Sequence, residues 1–115
     1  MFVVPGPGSP SVLTNMIVSI EQHVEWIDEC INYMDDNEFS TIDASLPAQD
    51  AWVDHVNKEA ENTLRTDPNC NSWYLGANVE GKTRVFMPLA GFPAYKEKCD
   101  EVLAAGYEGL VLFSR

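Results

Sequence analysis

Two stretches of this chain hold residue types that could do chemistry. The first is Gly6-Pro-Gly-Ser-Pro-Ser11, which leads into a long apolar-periodic run. Glycine lets the backbone approach a ligand closely, and Ser9 or Ser11 is of the type that caps a helix. The helix N-terminus behind such a loop carries free N–H groups and a partial positive charge. It can hold an anion, either a phosphate or the electron-rich edge of a reduced flavin. The same residues also make an ordinary tight turn and cap, and the run is neither a GxGxxG fingerprint nor a Walker loop. The second stretch is Asn71-Ser-Trp-Tyr-Leu-Gly-Ala-Asn-Val-Glu-Gly-Lys82. Trp73 stands there among polar and glycine residues, off any amphipathic face. It offers an apolar plate and one N–H donor, fit for a ribose hydroxyl or a nicotinamide, or else an anchor for the loop on the core.

Other reactive types do not assemble into sets. His23 sits beside the apolar stripe of its helix with no second ligand at helical spacing, so it is expected to pack at an interface or hydrogen-bond a neighbouring element. His55, next to Asp54, is expected at the surface or an interface. Cys30, Cys70 and Cys99 are far apart and form no CxxC pair. Cys30 and Cys99 are expected to be reduced packing residues, and Cys70 lies in a polar loop. No nucleophile–base set emerges.

The elements that would position these groups follow from periodicity. Phe2-Val3-Val4 is a short β-type run broken by Pro5. From Ser11 to about Met34, Leu13, Met16, Ile17, Ile20, Val24, Ile27, Ile31 and Met34 recur at steps of three and four. That pattern predicts a long helix with Glu21, Glu25, Asp28 and Glu29 opposite. Residues 40–45 alternate as a short strand. Pro47 opens a second helix over about 49–64, with Trp52, Val53, Val56, Ala60 and Leu64 on its apolar face. Residues 66–87 read as a long loop, with a possible strand at Arg84–Met87. A third helix over Tyr95–Ala105 ends at Gly106, and Gly109–Phe113 is a final strand. The chain is thus expected to be α+β and mainly helical, with three helices and two to three short strands. An opening strand with no parallel neighbour leaves backbone groups unpaired, so Met1 is expected to be an internal methionine of a longer protein.

Composition narrows the function classes. Within 115 residues, seven basic and eighteen acidic side chains leave a net charge of −11, and no Lys or Arg precedes Lys58. Such a chain repels phosphate backbones and anionic membrane surfaces, so neither nucleic acid nor membrane is expected as a partner. No apolar run approaches the roughly 20 residues that span a bilayer. The opening residues lack the pattern of a signal peptide. Thiols without disulfide spacing fit a cytoplasmic protein.

Several runs, taken together, resemble the C-terminal part of Baeyer–Villiger monooxygenases of the cyclohexanone and phenylacetone monooxygenase type. They are Gly6-Pro-Gly-Ser-Pro-Ser-Val-Leu-Thr-Asn-Met16, Ser19-Ile-Glu-Gln-His-Val-Glu-Trp26, Asp50-Ala-Trp-Val-Asp-His-Val-Asn57 and Asn71-Ser-Trp-Tyr74. Gly76-Ala-Asn-Val-Glu-Gly-Lys82, Arg84-Val-Phe-Met87, Cys99-Asp-Glu-Val102 and Gly106-Tyr-Glu-Gly109 continue it in order. The resemblance implies a parent that uses FAD and NADPH to convert ketones and O2 into esters or lactones through a C4a-peroxyflavin. The chain would then be a fragment of the FAD-binding domain. Residues 1–36 would supply a closing strand, the Gly-Pro loop and a long helix; 37–66 a short strand and second helix; 67–88 a cofactor-covering loop; 89–115 the third helix and last strand. By position, Asn15 and Met16 resemble the residues at the flavin edge, Leu13 and Thr14 those lining the substrate pocket, and Trp73 the tryptophan at the NADP ribose. The dinucleotide fingerprints and the active-site arginine of that family have no match here, and neither Arg65 nor Arg84 takes the arginine's place. No catalytic residue and no metal ligand is expected in this segment, and the chain alone is expected to be inactive and to self-associate. The alternative is an autonomous acidic helical module that binds a protein partner through its apolar face.

Overall fold

The computed structural model describes residues 1–6, 8–10, 14–61, 63, 67, 69, 72, 79–81 and 91–114. In chain order these form α1 (Met16–Asp36), β1 (Phe39–Ala44), α2 (Leu46–Ala60), α3 (Phe92–Ala104) and β2 (Leu110–Ser114). Three helices and a two-stranded antiparallel sheet agree with the expected mainly helical α+β class. Leu13, Leu64, Cys70, Trp73 and the possible strand at Arg84–Met87 lie outside the described residues, as does most of the 67–88 loop.

Local chemistry explains the boundaries. α1 starts at Met16 because Asn15, in an extended conformation, accepts the Ile17 N–H on its side chain at 2.9 Å. Ser9 does not cap it as expected. The Ser9 hydroxyl turns back to donate to the Gly6 carbonyl at 2.6 Å, and Ser11 is not among the described residues. α2 starts three residues earlier than its apolar pattern, since Ser45 accepts the Ala48 N–H and Pro47 needs no donor in the first turn. α3 ends in a complete Schellman motif. The Tyr107 N–H donates to the Val102 carbonyl at 2.8 Å and the Gly106 N–H to that of Leu103 at 3.0 Å. Gly106 has φ +66°, as its position after the helix requires.

The sheet pairs Ile42 with Leu112 and Ala44 with Leu110, with an irregularity between Phe39 and Thr41. There the Ser40 hydroxyl reaches the Phe113 and Ser114 carbonyls at 3.2 Å. The expected strand at Phe2–Val4 does not form. The chain turns at Val4–Pro5, residues 2–4 are exposed, and among the described residues no strand pairs with them.

α1 packs against β1 and α3. Its inward face is polar and aromatic: Ser19, Gln22, His23 and Cys30 are buried, with Trp26 and Tyr33 partly so. Tyr107 lies between them, its ring centroid 5.2 Å from that of Trp26 and 5.0 Å from that of Tyr33. This packing holds Tyr107 at φ +63°, which costs a non-glycine residue about 1–2 kcal/mol. Trp26 also donates its indole N–H to the Cys99 carbonyl at 3.0 Å, tying α1 to α3. A second small cluster joins Val56 and Ala60 with Trp52 on α2.

The apolar stripe of α1 faces solvent. Ile17 is 65% exposed, Val24 54% and Ile31 48%. These three stand seven residues apart on one line of the helix, the geometry of a packing seam. An α-helix that buries its polar-aromatic side and leaves its aliphatic side in water inverts the usual arrangement.

Candidate functional site

The first turn of α1 gathers three of the residues singled out in the sequence. Thr14 is half-buried, Asn15 is the cap, and Met16 is the first helical residue, 43% exposed. The cap uses the Ile17 N–H, and the backbone ladder begins where the Ser19 N–H meets the Asn15 carbonyl at 3.2 Å. The Met16 and Val18 N–H groups therefore have no intrahelical acceptor. No acidic side chain occupies this turn, despite the −11 net charge of the chain. The positive end of a 21-residue helix is thus left without a compensating carboxylate. That arrangement fits the electron-rich edge of a flavin or another anionic group.

The glycine loop before it works differently from the simplest reading. Gly8 has φ +83°, and a Cβ there would fall 2.7 Å from Nε1 of Trp52. The missing side chain thus makes room for the Trp52 ring, so this glycine fastens the loop to α2. Ser9 and Pro10 are buried with it.

His23 is packed, as expected, but it gains no hydrogen bond. It is 7% exposed, with its ring centroid 5.5 Å from that of Tyr95. Neither ring nitrogen has a partner among the described residues. Burial lowers its pKa from the ordinary 6.5 and keeps the ring neutral. Beside it, Gln22, Tyr95 and Cys99 border the same space. Burial pushes both Cys99 and Cys30 up, so neither is an activated thiol. Both cysteines are free, Cys30 buried and Cys99 half-buried. The sequence pattern did not single out Gln22 or Tyr95; their only signal is the four-residue step from Tyr95 to Cys99. His55 is half-buried and stacks beside Trp52 at 5.3 Å. Among the described residues no group of His, Cys, Asp and Glu could hold a metal ion, and no helix is long and apolar enough to cross a membrane.

An open apolar groove of about 430 Å³ runs between α2, α3 and the sheet, with Trp26, Trp52, Tyr95, Val102 and Leu110 in its walls.

Comparison with known proteins places this geometry. No family model matches the chain. It is 36% identical over 115 residues to a phenazine N-monooxygenase of Lysobacter antibioticus, covering 99% of this chain and 20% of that protein. It is 37% identical over 110 residues to a cyclohexanone 1,2-monooxygenase of Acinetobacter, covering 95% and 20%. Among solved structures, a steroid monooxygenase bound to NADP superposes with a TM-score of 0.87 at 37% identity, over 99% of this chain and 20% of that one. The cyclohexanone monooxygenase of Rhodococcus sp. Phi1 bound to NADP+ gives 0.84 at 36%, over 97% and 20%. A structure named OTEMO, in complex with FAD and NADP, gives 0.82 at 28%, over 96% and 20%. The chain spans about a fifth of the length of these relatives. In sequence and in fold it corresponds to one segment of the Baeyer–Villiger-type flavoprotein monooxygenases.

Proposed function

We propose that this chain is the C-terminal segment of an FAD- and NADPH-dependent monooxygenase that oxidises ketones with O2 to esters or lactones, and that it closes the FAD-binding domain. The observation that carries this reading is the split character of α1. Its polar-aromatic face is packed within the chain, its aliphatic stripe is bare, and its N-terminus is free of acidic groups. A seam of this kind fits the missing four-fifths of a larger enzyme, and the open helix end fits a cofactor bound at that seam.

FAD, when bound, supplies two-electron redox chemistry and the activation of O2, and NADPH supplies the hydride. This chain's own residues do the positioning. The Met16 N–H would hold the flavin at its pyrimidine edge, where the dipole of α1 would favour negative charge. Asn15 fixes that turn through its bond to Ile17. Leu13 and Thr14 line the ketone pocket. The 67–88 segment would cover the nicotinamide side, where Trp73 would hold the ribose through its indole N–H and its ring would keep water out. Alone, the chain lacks the domains that hold either dinucleotide and is inactive.

The test is a graft of this chain in place of the matched segment of the Acinetobacter cyclohexanone monooxygenase. The graft is expected to bind FAD and oxidise a ketone with NADPH, while the isolated chain titrated with FAD stays colourless after gel filtration. Trp73→Ala in the graft is expected to raise the KM for NADPH and the yield of hydrogen peroxide. A graft that folds, judged by circular dichroism, yet holds no FAD would refute the reading, as would stoichiometric FAD on the isolated chain. NADPH kinetics and coupling unchanged by Trp73→Ala would remove that residue from the site.

A further inference from the structure

A cavity of about 200 Å³ lies between the N-terminal segment, α1 and α3. Gln22, His23, Ser9 and Tyr95 bring polar groups to its walls, and its apolar lining includes Phe2, Val3, Trp26 and Ile27. Gln22 is 6% exposed and His23 7%, yet the Gln22 Oε1 and both His23 ring nitrogens have no hydrogen-bond partner among the described residues. Each such orphan costs about 1–3 kcal/mol unless something fills the need. Three of them on one wall of a cavity point to an absent occupant.

The occupant's chemistry follows from what the wall offers. Among the described residues no charged side chain lines the cavity, so these walls offer an ion no countercharge. The neutral imidazole offers one N–H donor and one nitrogen acceptor. The unpartnered Gln22 Oε1 is a second acceptor. The complement is a neutral group with one acceptor and one or two N–H donors. A cavity of about 150 Å³ holds benzene, so this one also has room for a branched substituent on its apolar side.

We propose that this cavity binds a neutral amide carrying one leucine-sized apolar group, with the amide oxygen accepting from the His23 N–H and the amide N–H donating to Gln22 Oε1. The site is separate from the first turn of α1 and does not depend on the flavoprotein reading. The amide can come from a free carboxamide or from the backbone of a polypeptide.

Long-range proton–nitrogen NMR of the His23 ring in the intact labelled chain, at pH 7.5, tests this. The probes are isovaleramide, for a free carboxamide, and N-acetyl-leucine N-methylamide, for a backbone unit. The controls are 4-methyl-2-pentanone, which has the acceptor without the N–H, and isovalerate, which is charged. A saturable shift of the His23 nitrogens is expected with at least one amide, at least tenfold tighter than with either control. Tighter binding of isovaleramide assigns the site to free carboxamides, and tighter binding of the blocked leucine assigns it to a backbone. His23→Phe, which keeps a ring against Tyr95, is expected to weaken the amide at least tenfold, followed by Trp26 fluorescence. The proposal fails if neither amide saturates, or if the ketone or the carboxylate binds as well as the amides. It also fails if a folded His23→Phe chain binds the amide unchanged. The comparison of amides with controls needs no variant and decides the matter even if His23→Phe does not fold.

Discussion

Ile17, Val24 and Ile31, replaced together by serine, separate the inner face of α1 from its outer one. Each of these side chains leaves roughly half of its surface in water, at 65%, 54% and 48% exposure. Burying a whole side chain of this kind is worth about 1.5–3 kcal/mol, so about 1 kcal/mol remains to be gained at each. Should two copies of the chain associate through this stripe, the triple substitution removes about 3 kcal/mol from each copy's share. At 1.4 kcal/mol per decade, the dimer dissociation constant rises at least a hundredfold. Folding of the monomer is affected less, because serine, valine and isoleucine differ by only a few tenths of a kcal/mol in helix propensity and about half of each side chain already faces water. Sedimentation velocity over a dilution series measures the first effect, and thermal unfolding at the lowest concentration measures the second. The expected result is a monomeric variant with an unchanged midpoint. A variant that associates like the original but melts several degrees lower would show that the stripe is internal packing, and the seam argument would be wrong.

Three further outcomes follow from single groups. Asn15→Ala removes the acceptor of the Ile17 N–H and should cost about 1 kcal/mol in urea unfolding, with the loss confined to the first turn of α1. Trp26→Phe removes the indole donor to the Cys99 carbonyl and should cost about 1–2 kcal/mol, showing the α1–α3 contact as part of the cooperative unit. Stability should form a plateau in pH. His23 has its pKa lowered from 6.5 by burial, so the unfolded chain binds the proton first and stability falls as pH drops below about 6.5. Tyr107 is pushed up from 10.0 to about 12, chiefly by burial, so the unfolded chain loses its proton first and stability falls again as pH rises from about 10 to about 12. Chemical denaturation across that range checks both limbs, and His23→Phe should flatten the acid one.

Much of the local structure was legible in the residues. Pro47 marks the first turn of α2, Gly106 marks the end of α3, and the alternation at 40–45 marks β1. Each is a short-range preference fixed by one cap or one backbone conformation. The errors arose where two local signals competed or a partner was needed. Ser9 has the chemistry of a cap, but Asn15 stands closer to the regular helix, and Ser9 found a carbonyl within its own turn. Phe2–Val4 has strand-forming residues, but a strand needs a neighbour to hydrogen-bond, and among the described residues none pairs with it. Of the site residues, Thr14, Asn15 and Met16 stand together at the start of α1. Leu13 and Trp73 lie outside the described residues. The pairing of His23 and Gln22 with Tyr95 and Cys99 had no sequence signal, because it joins α1 to α3 across about seventy residues of chain.

The sequence by itself determined the helices, the caps and the acidic character, because these depend on neighbours within a turn or on a count of charges. It also carried the likeness to the monooxygenases, in motifs that keep their order along the chain. Which face of α1 turns inward was decided only in three dimensions. Periodicity reports that an aliphatic stripe exists, not what lies against it, and here Trp26, Cys30, Tyr33 and Tyr107 interlock on the other side and leave the stripe in water. The role of Gly8 was decided the same way, by the Trp52 ring that occupies the space a side chain would take.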